Sequence, residues 1–157
     1  MDPIIIIGSG LAGYTLAKEF RKLDISTPLT IITASDGRFY SKPLLSTALT
    51  KQHHPESLAI APVATMMKQL NAEIFTKTRV TTIDAQQKKI QIGVRSLSYK
   101  KLILACGADP IKAPLSGDAV NEVLSVNDLE DYAIFRDSLA GKKHLVIPNS
   151  HKVFRKI

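Results

Sequence analysis

Six residues near the N-terminus, Gly8-Ser9-Gly10-Leu11-Ala12-Gly13, constrain the fold more than any other stretch of the chain. They follow four consecutive isoleucines, Ile4 to Ile7. They open a segment, Leu11 to Leu23, in which Ala12, Leu16, Phe20 and Leu23 recur at helical spacing, with Lys18, Glu19, Arg21 and Lys22 largely on the other face. A short β-branched run without polar alternation reads as a strand buried on both faces, and the 3.6-residue period as a helix with one face in the core. A turn at Asp24 to Pro28 leads to a second apolar run, Leu29 to Thr33. Strand, glycine turn, helix and strand in about thirty residues form a βαβ unit, whose crossover is right-handed.

In that setting each glycine of the G-x-G-x-x-G pattern has a physical task. Gly8 permits the tight turn, Gly10 lets a pyrophosphate reach the backbone without meeting a Cβ, and Gly13 lets the helix pack closely on the strand. The first amides of the helix, with its dipole behind them, hold negative charge. The pattern alone is weak; between a strand and a helix it points to a dinucleotide, against the alternative of a glycine-rich turn that only packs. An acid for the ribose hydroxyls is expected about twenty residues further on. That place holds Thr33 and Ala34, and the nearest carboxylate is Asp36, which either binds ribose or shapes a turn with Gly37.

The rest of the chain predicts an α/β fold, a Rossmann-like parallel sheet with crossover helices plus a small antiparallel β-meander. Pro43 and Pro62 each open a short helix, and Glu73 to Val80 offers a third strand. Val80, Ile83, Ile90, Ile92, Val94 and Leu97 mark the meander over 81–98, and Lys101 to Cys106 returns to a buried-strand pattern. Asn127 is the expected N-cap of a helix running to about Leu139, and His144 to Pro148 reads as one more strand.

At 157 residues, with 45% apolar and 22% charged residues, the chain suits one globular domain. No run reaches the roughly 18 apolar residues of a membrane helix, and no basic region precedes the first apolar run, so a cytoplasmic location is expected. The single cysteine, Cys106, excludes an intramolecular disulfide and a CxxC pair. The net charge of +7 comes from scattered lysines and arginines with few aromatics among them, which does not point to nucleic acid. His53-His54 lacks a third ligand at metal spacing, so no metal site is expected.

Three stretches together carry a resemblance: Ile4 to Tyr14, Phe39-Tyr-Ser-Lys-Pro-Leu-Leu-Ser46, and Tyr99-Lys-Lys-Leu-Ile-Leu-Ala-Cys-Gly-Ala108. They resemble the FAD-dependent pyridine nucleotide-disulfide oxidoreductases, in the branch of rubredoxin and ferredoxin reductases. The resemblance implies FAD as cofactor, NADH as the electron source and a rubredoxin- or ferredoxin-like protein as partner. It implies that Ser9, Gly10, Leu11 and Ala12 meet the pyrophosphate, that Thr33 and Ala34 meet the adenosine end, and that the backbone of Val80 holds the adenine. Lys42 is similar to the lysine beside the flavin ring, where a cation stabilises the charge of reduced flavin. Ala105 to Ala108, with Gly107, matches an Ala-Thr-Gly turn in which Cys106 replaces threonine, and a buried, inert cysteine is expected there. The absence of a cysteine pair after the first helix favours this branch over the glutathione reductase branch.

In such families the strand ending at Pro148 leads into a second G-x-G-x-x-G for NADH, whereas Asn149 to Ile157 contains no glycine. The expectation is a truncated chain: a partial FAD-binding domain over 1–148 and an atypical basic tail over 149–157, as a frameshift or premature stop would produce. Such a piece is expected to be marginally stable, to bind FAD weakly if at all, and not to oxidise NADH. A non-enzymatic nucleotide-binding remnant and an NAD-binding dehydrogenase domain are the alternatives.

Overall fold

A computed structural model describes residues 1–111 and 114–147, and the backbone of 155–156. In chain order the elements are β1 (Ile4–Ile7), α1 (Leu11–Leu23), β2 (Leu29–Ile32), β3 (Phe39–Tyr40), α2 (Leu45–Ala48), α3 (Pro55–Leu58), β4 (Ala59–Ala61) and α4 (Val63–Leu70). There follow β5 (Glu73–Phe75), β6 (Val80–Asp84), β7 (Lys89–Ile92), β8 (Arg95–Ser98), β9 (Lys101–Leu104), α5 (Leu129–Ser138), β10 (Val146–Ile147) and β11 (Arg155–Lys156). β5, β2, β1 and β9 lie side by side in that order, all parallel, and β6, β7 and β8 form a separate antiparallel sheet. The expected α/β class, the βαβ unit and the meander are all present.

The isoleucine run is explained by what lies on the two faces of β1. Ile6 joins Tyr14, Ala17, Ile31, Met66 and Leu70 on the side of α1 and α4. Ile5 joins Ile32, Ile90, Ile92 and Tyr99 on the side of the meander. Both faces are buried, so no position in the strand is left for a polar residue. A third, smaller cluster of Ala48, Leu58, Leu129 and Tyr132 ties α2, α3 and α5 together.

The predicted inward face of α1 is wrong by a rotation of the helix. Gly13, Tyr14 and Ala17 are its buried residues, while Leu16 is 41% and Leu23 88% exposed. The helix presses closest to the sheet at Gly13, and that approach sets its phase; hydrophobicity counts alone follow the larger leucines. The N-cap of α5 is Asp128 rather than Asn127: its carboxylate accepts from the amides of Glu130 and Asp131. The helix α3 and the strand β4 were not anticipated, being too short to show a period. The strand expected over His144 to Pro148 is seen as β10, which pairs antiparallel with β11 and not with the parallel sheet. Apart from that pairing, the basic tail over 149–157 lies outside the described residues.

Arg21 joins two helix ends. Its guanidinium donates to the carbonyls of Leu70 (2.5 Å), Asp24, Thr27 and Asn71 (2.9 to 3.0 Å), tying the end of α4 to the turn that follows α1. Next to it the Asp24 carboxylate accepts from the Thr27 hydroxyl and amide and from Ser26, which holds it well below the usual carboxylate range. Arg21→Ala is expected to cost about 2–4 kcal/mol, because several carbonyls lose their donors together. Arg21→Lys should recover little of this, since a point charge cannot reproduce the planar fork. Urea unfolding of the three chains tests it; equal midpoints would refute the joint-capping role.

Candidate dinucleotide-binding site

The glycine turn sits on the C-terminal ends of three neighbouring strands. Gly8 donates its amide to Ile32 at the end of β2, and Ala105, just past β9, donates to Ile7 (both 2.8 Å). From β1 the chain moves outward to β2 and β5, then returns to the other side of β1 as β9. The strand order therefore reverses beside β1, which places the turn at the crevice where open parallel sheets take their ligands.

Two of the three glycines are required by the protein itself. Gly8 has φ of +111°, and a Cβ there would lie 2.1 Å from the Ala105 carbonyl oxygen. A Cβ on Gly13 would lie 2.0 Å from the Gly8 carbonyl oxygen. Gly10 is different: its φ of −68° and ψ of −174° suit any residue, and a Cβ would meet nothing within 4 Å. No clash and no strained backbone requires a glycine at this N-cap, and its open face leaves room for a ligand lying across the turn. The helix behind it is left equally open. α1 has no side-chain cap and no acid in its first turn, while α5 has an Asp128 cap and both Glu130 and Asp131. The orphan amides at the start of α1 are thus available to an external anion.

On one side of the turn, three segments distant in sequence meet. Ser9 donates its hydroxyl proton to Thr33 Oγ1 (2.9 Å), and Thr33 and Ser35 share a second hydroxyl bond of 2.9 Å. The amides of Thr78 and Lys77 donate to the carbonyls of Thr33 and Ser35 (2.9 Å each), which brings Val80, half-buried, to the same edge. Ala34 is exposed between them. Of the two roles open to Asp36, the structure shows the turn. Its carboxylate accepts from the Arg38 amide (3.0 Å) and Arg38 Nε (2.6 Å).

On the other side, Lys42 opens a short 3₁₀ turn over 42–44 and is exposed, at the wall of a cleft of about 590 Å³ shared with Ser46, Leu49, Asn127, Tyr132 and Phe135. Gly107 has φ of +71° with open space around it, and Asn127 Nδ2 donates to the neighbouring Ala108 carbonyl (3.3 Å). Cys106 is exposed rather than buried, because it lies beyond the end of β9, where the parallel sheet stops. Tyr14 secures the loop that leads to Lys42. Its hydroxyl donates to the Gly37 carbonyl (2.5 Å), and its ring meets Phe39 edge-on at 5.4 Å. Burial, with Asp36 adding to it, pushes the Tyr14 hydroxyl up to about 12.

The structure therefore brings Gly8 to Gly13, Thr33, Ala34 and Val80 to one edge, with Gly107 and Lys42 on the far side of the turn. Tyr14, Ser35 and Asn127 join them, none of which the sequence reading assigned to the site. The open face at Gly10, the uncapped helix and the hydroxyls beside them fit the diphosphate and ribose of a dinucleotide.

Residues 2–148 match the family model of the pyridine nucleotide-disulphide oxidoreductases. The chain belongs to this family. It is 48% identical over 147 residues to the rubredoxin-NAD(+) reductase of Alcanivorax borkumensis, which covers 94% of this chain and 38% of that protein. It is 40% identical over 147 residues to the rubredoxin-NAD(+) reductase of Acinetobacter baylyi, covering 91% of this chain and 37% of the relative. Among solved structures, the covalent putidaredoxin reductase-putidaredoxin complex matches with a TM-score of 0.73 and 26% identity, over 88% of this chain and 34% of that one. The chain thus spans about 38% of the length of the relatives it matches. Among the described residues no helix is long and apolar enough to cross a membrane.

Proposed function

We propose that this chain holds the FAD of a cytoplasmic NADH-dependent flavoprotein that passes electrons to a rubredoxin- or ferredoxin-like carrier. The observation that carries the reading is Gly10, whose open face stands in front of an uncapped helix. Residues 1–148 form a partial FAD-binding domain, followed by a basic segment over 149–157 that is atypical of the family.

Bound FAD supplies acceptance of a hydride and release of single electrons. The chain's own residues do the rest. Ser9, Gly10, Leu11 and Ala12 hold the diphosphate on open amides, with Gly8 and Gly13 shaping the turn. Thr33, Ala34 and the Val80 backbone receive the adenosine. Gly107 would let the loop after β9 approach the flavin side, and the exposed ammonium of Lys42 would stabilise the negative charge of reduced flavin. No cysteine pair follows α1 in these residues, which favours a carrier that takes electrons directly. An acidic carrier suits the charge of +4 that the body carries without Lys152, Arg155 and Lys156. A second glycine motif for NADH is not among these residues.

Titration of the purified chain with FAD, followed by flavin fluorescence, tests this. Saturable quenching is expected, weak enough that desalting removes the flavin. Lys42→Met should weaken FAD by about two- to fivefold and leave ADP binding unchanged, because it removes one exposed charge beside the ring alone. Absence of saturable FAD binding would overturn the reading.

A further inference from the structure

We propose that Ser35 reads the adenosine ribose as a hydrogen-bond donor, so that this site accepts a 2′-phosphate which a carboxylate there would repel. The proposal rests on the dinucleotide reading above and adds to it the residue that sets specificity.

Three observations carry it. The first is position. Ser35 follows the end of β2, joined through Thr33 to Ser9 in the glycine turn. Ser9 and Thr33 are 5% and 6% exposed, whereas Ser35 is only half-buried, so Ser35 is the most accessible residue of the three.

The second is the order of the protons. Ser9 gives its proton to Thr33 Oγ1. The buried Thr33 hydroxyl must place its own proton, and Ser35 Oγ at 2.9 Å is its acceptor among the described residues. Ser35 Oγ also faces the Gly37 amide at 3.4 Å. The proton left over is that of Ser35, with only Ser9 Oγ at 3.4 Å as a long alternative among the described residues. Ser9 and Thr33 are thus positioning residues, and the Ser35 proton is the one left for a ligand.

The third is the fate of the local acid. Asp36 is engaged by both the amide and the guanidinium of Arg38, so its charge is matched and its oxygens are in use. In sites where an acid reads the ribose 2′-hydroxyl it accepts a hydrogen bond and carries negative charge, which excludes a 2′-phosphate. A donor hydroxyl beside a neutralised ion pair accepts either group.

The test titrates the chain with AMP, 2′-deoxy-AMP and adenosine 2′,5′-bisphosphate by NMR, alongside FAD. Removing the 2′-hydroxyl should weaken binding about three- to tenfold, the usual range for one neutral hydrogen bond. The bisphosphate should bind within about threefold of AMP, because an attractive or neutral contact replaces repulsion. Ser35→Ala should erase the difference between AMP and 2′-deoxy-AMP. Ser35→Asp should keep AMP and reject the bisphosphate by about tenfold or more, as like charges in contact do. If FAD and AMP bind but 2′-deoxy-AMP binds equally well, or Ser35→Ala preserves the discrimination, the assignment of Ser35 fails while the FAD reading stands. Wild-type rejection of the bisphosphate would equally overturn it. If neither FAD nor AMP binds, both readings fall.

Discussion

Gly10→Ala is expected to leave a folded chain that no longer binds nucleotide, while Gly13→Ala is expected to lose the fold. The two substitutions add the same methyl group to one motif, and on helix propensity alone the second should be favourable, since alanine in a helix interior is about 1 kcal/mol better than glycine. Clearance reverses this. The new Cβ at residue 13 would lie 2.0 Å from the Gly8 carbonyl oxygen, a backbone atom that cannot swing aside. Relief requires α1 to lift from the sheet, opening the cluster of Ile6, Tyr14, Ala17 and Ile31. A loss of about 3 kcal/mol or more is expected.

At Gly10 the backbone is already in a region any residue adopts, and the Cβ enters open space. The stability cost is that of alanine at an N-cap, about 1 kcal/mol, or roughly 3 °C in Tm for a chain of this size. The same methyl occupies the approach to the amides, and FAD affinity should fall on the order of 30-fold or more. Thermal melts and FAD titrations of both variants check the pair. A Gly10→Ala chain with unchanged FAD affinity would show that the glycine turn serves packing alone.

The second large effect belongs to Tyr14. It is fully buried, and Tyr14→Ala should cost about 3–5 kcal/mol through the cavity it leaves. Tyr14→Phe keeps the ring against Phe39 but removes the donor to the Gly37 carbonyl, at about 1–3 kcal/mol. Because that bond ties the Lys42 loop to α1, the Phe variant should lose FAD affinity while keeping AMP affinity. Tyr14 also gives the protein an alkaline limit. Its folded-state value is raised to about 12 from an ordinary value of 10.0, so the unfolded chain loses this proton first. The contribution is complete below pH 10 and is lost as pH rises towards 12. Denaturant midpoints measured at pH 9 and pH 11.5 should fall in wild type and fall less in Tyr14→Phe. Equal falls would assign the alkaline loss to other groups.

Much of this protein was legible in the sequence because its defining signals are local. The isoleucine run, the glycines and the helical period of α1 lie within the first 23 residues, and strand, turn and helix follow from neighbours along the chain. The meander was legible for the same reason, since alternation needs only a few adjacent residues. The resemblance carried by Phe39 to Ser46 and Tyr99 to Ala108 supplied the reading of Lys42 and Gly107, which no spacing shows.

The phase of α1, the exposure of Cys106 and the Asp128 cap were decided by tertiary structure. Helix phase follows from how closely Gly13 can approach the sheet, a distance that residue hydrophobicity does not encode. Cys106 is exposed because β9 ends at Leu104, two residues before it, and a strand-like sequence does not say where pairing stops. The hydroxyl chain of Ser9, Thr33 and Ser35 joins residues 24 positions apart, and its proton order exists only once three oxygens stand within hydrogen-bond reach. The sequence determined that a dinucleotide turn would form; only the folded chain decided which side chains stand beside it, because hydrogen bonds between distant segments depend on positions in space and not on spacing along the chain.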